Sequence, residues 1–223
     1  MVAETILATI IFLAMLAGFI ALRLVSVLGK RTGHENPVGE SYGRRPAELA
    51  QPTGAHADVR MPVALDMPEG ISPELRAPLQ DIAQVEPGFE PRRFLEGARA
   101  AYGMILKAFW DGKADELDAL VSDDVAMQFR RAIEMRQAEG LTLENRLLRI
   151  ERAQIVSVHV AGRMAEITVR FDADLVALTR NRQGEVVAGS MSDAVDTHDV
   201  WTFSRHLGAQ DPNWLLIATD AQG

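Results

Sequence analysis

Near Gly140 the spacing of apolar residues changes from about 3.6 to 2, so this chain must pair a helical layer with a sheet. Upstream, Pro91 opens a segment in which Phe94, Leu95, Ala98, Ala101, Tyr102, Ile105, Leu106, Phe109 and Trp110 share one helical face, and Gly112 ends it. A short helix is expected over residues 113–121, presenting Leu117, Leu120 and Val121. Ser122, followed by Asp123 and Asp124, caps a third helix that groups Val125, Phe129, Ala132 and Ile133 until Gly140 stops it. Downstream, Val156, Val158 and Val160 alternate with Ser157 and His159. Ala161 and Gly162 turn the chain into Ala165, Ile167, Val169, Phe171, Ala173 and Leu175, each separated from the next by a polar residue. A further turn at residues 181–184 and two apolar runs, 198–205 and 214–219, complete the pattern, with a loop at 208–213 between the runs. Helices followed by antiparallel strands predict an α+β domain over residues 89–223, its helices packed on one face of a curved sheet.

The first segment is of a different kind. From Thr5 to Leu22 there are 18 consecutive residues without a charge, nearly all apolar. At about 1.5 Å per residue they make roughly 27 Å of helix, enough to span a bilayer core. If Arg23 snorkels, the apolar stretch extends to Leu28, so residues 1–30 are read as a transmembrane anchor. A secretory signal peptide wants basic residues before the apolar run, and here Glu4 is the only charged side chain ahead of it. Arg23, Lys30, Arg31, Arg44 and Arg45 all follow the run. That asymmetry places the N-terminus outside an inner (cytoplasmic) membrane and the remainder of a single-pass protein in the cytoplasm. Ala14 and Gly18 form a small-xxx-small step, which fits either a lone anchor or a pair of closely packed ones.

Residues 31–88 contain eight of the ten prolines and six glycines. Such a composition cannot bury enough apolar surface to offset its ordering entropy and predicts a flexible linker. One island stands out at residues 72–83, where Ser72 offers a cap and Pro73 a first helical position. Leu75, Leu79 and Ile82 follow at helical spacing, predicting a short helix that needs a surface to dock on.

Composition excludes several chemistries. There is no Cys, so disulfides, thiolate metal sites and cysteine nucleophiles are impossible. A net charge of -8 argues against nucleic acid as a partner, since phosphate attraction requires cations. The five histidines lie in no zinc spacing, and no GxSxG, GxxxxGK[ST] or GxGxxG is present, so no cofactor or metal is expected. Asp193, Asp196, His198 and Asp199 form the densest polar cluster. It lacks a calcium-loop turn and reads as a solvated loop entering a strand. In a pocketed domain His159, Asp172 and Asp174 would be the conceivable bases, although all three fall on polar strand positions. Two surfaces remain. The first domain helix carries Arg92, Arg93, Arg99 and Lys107 on its polar face, a pattern that fits contact with anionic membrane or an ordinary core helix with a solvated basic back, and the two are compatible. Phe94, Tyr102, Trp110, Trp201 and Trp214 either form the core or line a pocket or partner site.

The stretch AFWDGKADELDALVSDDV (108–125), the strand DVWTFSR (199–205) and the closing DPNWLLIAT (211–219) resemble the C-terminal domain of the Tim forty-four family, over about residues 72–220. That resemblance implies a nuclear transport factor two-like α+β fold with a large apolar pocket and no enzymatic activity. It further implies contact with anionic lipid such as cardiolipin, with a membrane protein or translocase component, and with a DnaK-type chaperone. The long charged helical region that carries the chaperone and translocase contacts in the mitochondrial adaptor is replaced here by the apolar run and the proline-rich stretch. The expectation is a non-catalytic, membrane-anchored adaptor. The alternative is a membrane-tethered small-molecule carrier or an isomerase- or dehydratase-like pocket domain.

Overall fold

The computed structural model describes residues 65–221. The apolar run 5–22, its cationic flank and the proline-rich stretch up to residue 64 lie outside the described residues. A 3-10 turn (Pro73–Leu75) leads into α1 (Arg76–Val85), followed by α2 (Pro91–Asp111), a second 3-10 turn (Ala114–Glu116) and α3 (Asp123–Ala138). The strands follow: β1 (Thr142–Leu143), β2 (Arg146–Ala161), β3 (Met164–Arg180), β4 (Val186–His206) and β5 (Leu215–Ala221). The fold is thus α+β, with helices on an antiparallel sheet. Among the described residues no helix is long and apolar enough to cross a membrane.

The helix boundaries follow local chemistry. Pro73 and Pro91 occupy first-turn positions, where a missing N–H costs nothing. Gly112 closes α2 in the left-handed region at φ 71°, which a side chain would strain. Ser122 Oγ accepts from Val125 N at 3.5 Å and so caps α3. The island at 72–83 forms its helix and docks: Leu75, Leu79 and Ile82 are buried in the main core, and Leu65, Met67 and Ile71 pack partly against the same core. Packed structure therefore extends upstream of Glu90, into the segment whose proline content reads as a linker.

Three sequence expectations need correction. Residues 113–121 make only a 3-10 turn, because Ser122 N donates to Leu216 O and Leu216 N to Leu120 O, which holds the end of the segment extended beside β5. Leu117 and Val121 are nevertheless buried. Ala132 is exposed, and the inner face of α3 is completed instead by Ala126 and Arg136. The expected loop carrying Asp193, Asp196 and His198 is part of β4, paired with the far end of β3.

The sheet runs β2-β3-β4-β5, all neighbours antiparallel, with β1 pairing the end of β3 beyond β2. β3 buries Ala165, Ile167, Val169, Phe171 and Ala173, the expected alternation, while Leu175 is only half-buried and burial passes to Val176 and Leu178. Three register shifts interrupt β2, the last between Ile155 and Ser157, and they move its inward residues from Ala153 and Ile155 to Val158 and Val160. In β4 the pairing jumps from Ala177↔Ser190 to Val176↔Ala194, and Gly189 enters this bulge at φ 78°. A β-carbon there would lie 2.0 Å from Ala177 O, so the close approach requires glycine.

Candidate functional site

α2 crosses the sheet with its aromatic stripe inward. Phe94 meets Phe203 and Trp214 at ring separations of 6.1 and 5.0 Å, and Tyr102 stacks on Phe171 at 4.4 Å and approaches Trp201 at 4.7 Å. Phe94, Tyr102 and Trp201 are buried core residues, whereas Trp214 is half-exposed at the cluster edge. Trp110 stands apart, half-buried at the end of α2. These rings fill the space between helix and sheet by contacting one another. An open cleft lies elsewhere, lined by polar side chains of Gln137, Thr142, Glu144, Arg180 and Arg182.

One polar group enters this aromatic layer. Tyr102, fully buried, donates its hydroxyl to Asp199 Oδ2 at 2.6 Å. Asp199 shares strand parity with Trp201 and Phe203 and so faces the core. Burial pushes its carboxyl above the ordinary range, against the opposing effects of the Tyr102 and Thr197 hydroxyls. Burial and the neighbouring carboxylate likewise push the Tyr102 phenol up.

The cations of α2 are not equivalent. Arg92 forks Asp66, with Nε to Oδ2 at 2.7 Å and Nη2 to Oδ1 at 3.1 Å. This contact holds the Asp66 carboxyl below its usual range. Lys107 pairs with Asp111 at 2.6 Å but stays 71% exposed. Arg99 turns toward the sheet and donates to Ile150 O at 3.4 Å. Arg93 is exposed and has no polar partner among the described residues.

The conceivable bases lie on the other side of the sheet. His159 is exposed opposite Glu166 in the register. Asp172 contacts His198 Nδ1 at 2.9 Å and Arg152 at 4.0 Å, and Asp174 accepts from Arg149 at 2.6 Å. Both carboxylates are half-buried in cross-strand ion pairs, facing away from the aromatic layer. The cluster read at 193–199 divides, with Asp193, Asp196 and His198 exposed and Asp199 inward. Among the described residues no group of three or more His, Asp or Glu is arranged to hold a metal ion.

Sequence reading passes over Arg136 and places Asp199 in a solvated loop. Arg136 is 7% exposed; its Nη2 donates to the Phe109 and Trp110 carbonyls at 3.1 and 3.2 Å, and its guanidinium lies 5.3 Å from the Phe109 ring centre. It caps the negative end of α2, while burial lowers its pKa and leaves Nε and Nη1 unbonded. The available signal was its spacing, since 129, 133 and 136 lie on one helical face. Asp199 gave the same kind of signal by parity with Trp201 and Phe203.

Against known proteins, residues 75–221 match the model of the Tim44-like domain, close to two-thirds of the chain. The human mitochondrial import inner membrane translocase subunit TIM44 is 26% identical over 151 residues, 66% of this chain and 33% of that protein. The Rattus norvegicus protein of the same description gives the same identity and coverage. The chain thus spans about a third of the length of the curated relatives it matches. Among solved structures, the intermembrane space region of chloroplast protein ARC6 is 12% identical with a TM-score of 0.40, covering 57% of this chain and 95% of its own. That superposition is too loose to carry any conclusion. By the family match, which runs from the last residue of the first 3-10 turn to the end of β5, the chain belongs to the Tim44-like domain family.

Proposed function

We propose that the chain is a non-catalytic adaptor that holds its α+β domain beside an inner membrane and binds protein partners and anionic lipid. The family match over residues 75–221 carries this reading, since the matched relatives are described as subunits of a mitochondrial inner membrane translocase. The apolar run 5–22 supports anchoring, and the Lys and Arg after it support a cytoplasmic domain with the N-terminus outside. The partner is a membrane protein or translocase component, with a DnaK-type chaperone as a further candidate. The anionic lipid, cardiolipin included, meets the exposed cations of α2. Of those cations, Arg93 has no polar partner among the described residues, Lys107 and Arg92 sit in exposed pairs, and Arg99 donates to Ile150 O, which supports Arg93 as the first to meet lipid. Each available cation near an anionic surface adds about 1 kcal/mol.

The test is photocrosslinking in living membranes from a probe at Ala100, exposed on α2 between these cations. Capture of a membrane-embedded protein supports the adaptor reading; a probe that crosslinks nothing above background, with the protein correctly inserted, defeats it.

A further inference from the structure

Residues 65–71 cross the domain as a strap, irregular over 65–68 and turning at Glu69–Gly70, between the start of α2 and the middle of β2. Leu65, Met67 and Ile71 are half-buried against the core and Pro68 is buried. The receiving surface supplies the polar contacts from side chains. Arg92 forks the Asp66 carboxylate and reaches Met67 O at 3.5 Å, and Gln154 Nε2 donates to Gly70 O at 3.0 Å. Among the described residues no backbone hydrogen bond joins 65–71 to a strand or helix. The Arg92–Asp66 pair is 49% and 67% exposed, so solvent competes for it. A segment held by side chains alone, with a forked carboxylate and alternate apolar residues, is bound as a peptide ligand is bound.

We propose that the surface beneath the strap is a peptide-docking groove, filled in cis by residues 65–71 and open in exchange to an extended partner segment carrying a carboxylate between two apolar residues. This goes beyond the adaptor reading and stands on different residues. Release of the strap frees Arg92 beside Arg93, which has no polar partner among the described residues, next to the apolar strip that Leu65 and Met67 had covered. That combination is complementary to an acidic-apolar peptide. The cis segment is covalently attached, so its effective concentration is high and a partner competes only after the strap loosens. The strap therefore sets an affinity threshold at the point where the domain joins the upstream chain.

The experiment uses the full chain in nanodiscs and a fluorescein-labelled synthetic peptide of residues 62–72, read by anisotropy. The Asp66→Arg protein should bind this peptide at least tenfold more tightly than the unaltered protein, because its own strap is repelled while Arg92 is intact. Adding Arg92→Glu should abolish that gain, for the unaltered peptide and for one carrying Asp66→Arg alike, because the double charge swap re-forms the pair and lets the strap dock again in cis. Both residues are largely exposed, so melting should remain close to that of the unaltered protein. In that unaltered protein, hydrogen exchange should be at least tenfold faster at the amides of 65–71 than in α1, which needs no variant to fold. Equal protection of strap and α1, peptide binding by Asp66→Arg no tighter than by the unaltered protein, or equal binding to empty nanodiscs would each overturn the groove.

Discussion

Replacing Tyr102 by Phe removes one oxygen from a fully buried ring and nothing else. The ring keeps its stack on Phe171 and its contact with Trp201, at 4.4 and 4.7 Å, so no cavity term arises. What is lost is the 2.6 Å bond from the hydroxyl to Asp199 Oδ2. A hydrogen bond to a charged group contributes roughly 1.5–3 kcal/mol, so Tyr102→Phe should cost about 2 kcal/mol near neutral pH. Denaturant unfolding of the detergent-solubilised full chain, followed by tryptophan fluorescence, measures it, since Trp201 reports on this layer. A cycle with Asp199→Asn isolates the pair and should give a coupling energy of similar size. The pH dependence has a defined sign. Burial raises the Asp199 carboxyl in the folded state, so its contribution is complete below the unfolded carboxylate range and is lost as pH rises through the raised folded value. The Tyr102 hydroxyl opposes that rise, and its removal should make stability fall more steeply with increasing pH. A cost below about 0.5 kcal/mol, or a cycle with no coupling, would show that the contact contributes little and would refute this account.

Three further outcomes follow. Gly189→Ala should destabilise by about 2 kcal/mol or more, seen as a lowered melting temperature, because the added carbon collides with Ala177 O at a positive φ. Arg136→Ala should cost about 3 kcal/mol in urea unfolding through lost volume and the uncapped end of α2, and Arg136→Met should recover at least half, since two of the guanidinium nitrogens are already unbonded. Vesicle co-sedimentation of the full chain should weaken more with Arg93→Glu than with Arg99→Glu, because Arg99 already faces Ile150 O; equal effects would argue that α2 meets lipid by net charge alone.

Legibility in the sequence tracked how local each cause was. β3 has no interruption of its own between Ala165 and Ala173, and its alternation named its buried residues correctly. The first half of β2 was hidden because its register shifts break the period that identifies a strand. Proline content described residues 31–88 as one kind of segment, yet three apolar side chains at helical spacing were enough to fold α1 once a surface existed. That surface lies some seventy or more positions downstream, where composition cannot see it. Asp199 reads as part of a solvated loop and Arg136 is not singled out at all, because charge is weighed ahead of position, whereas each occupies the apolar phase of its element and is held there by polar contacts with α2.

β3 and β4 run for 17 and 21 residues, roughly 58 and 71 Å of strand, against about 31 Å for α2. A flat ribbon of that length would leave its tip far from any helix, yet Arg182 at the tip reaches Ala138 O at 2.7 Å. The hairpin must therefore coil back upon the helical layer, and the contact that closes the coil joins residues 44 apart while Ser122 waits for Leu216. Contacts so remote in sequence place the domain among slow folders, on the millisecond-to-second scale. During that interval the apolar strand faces are uncovered, so the length of the hairpin that builds the sheet also lengthens the time in which those faces can meet other chains.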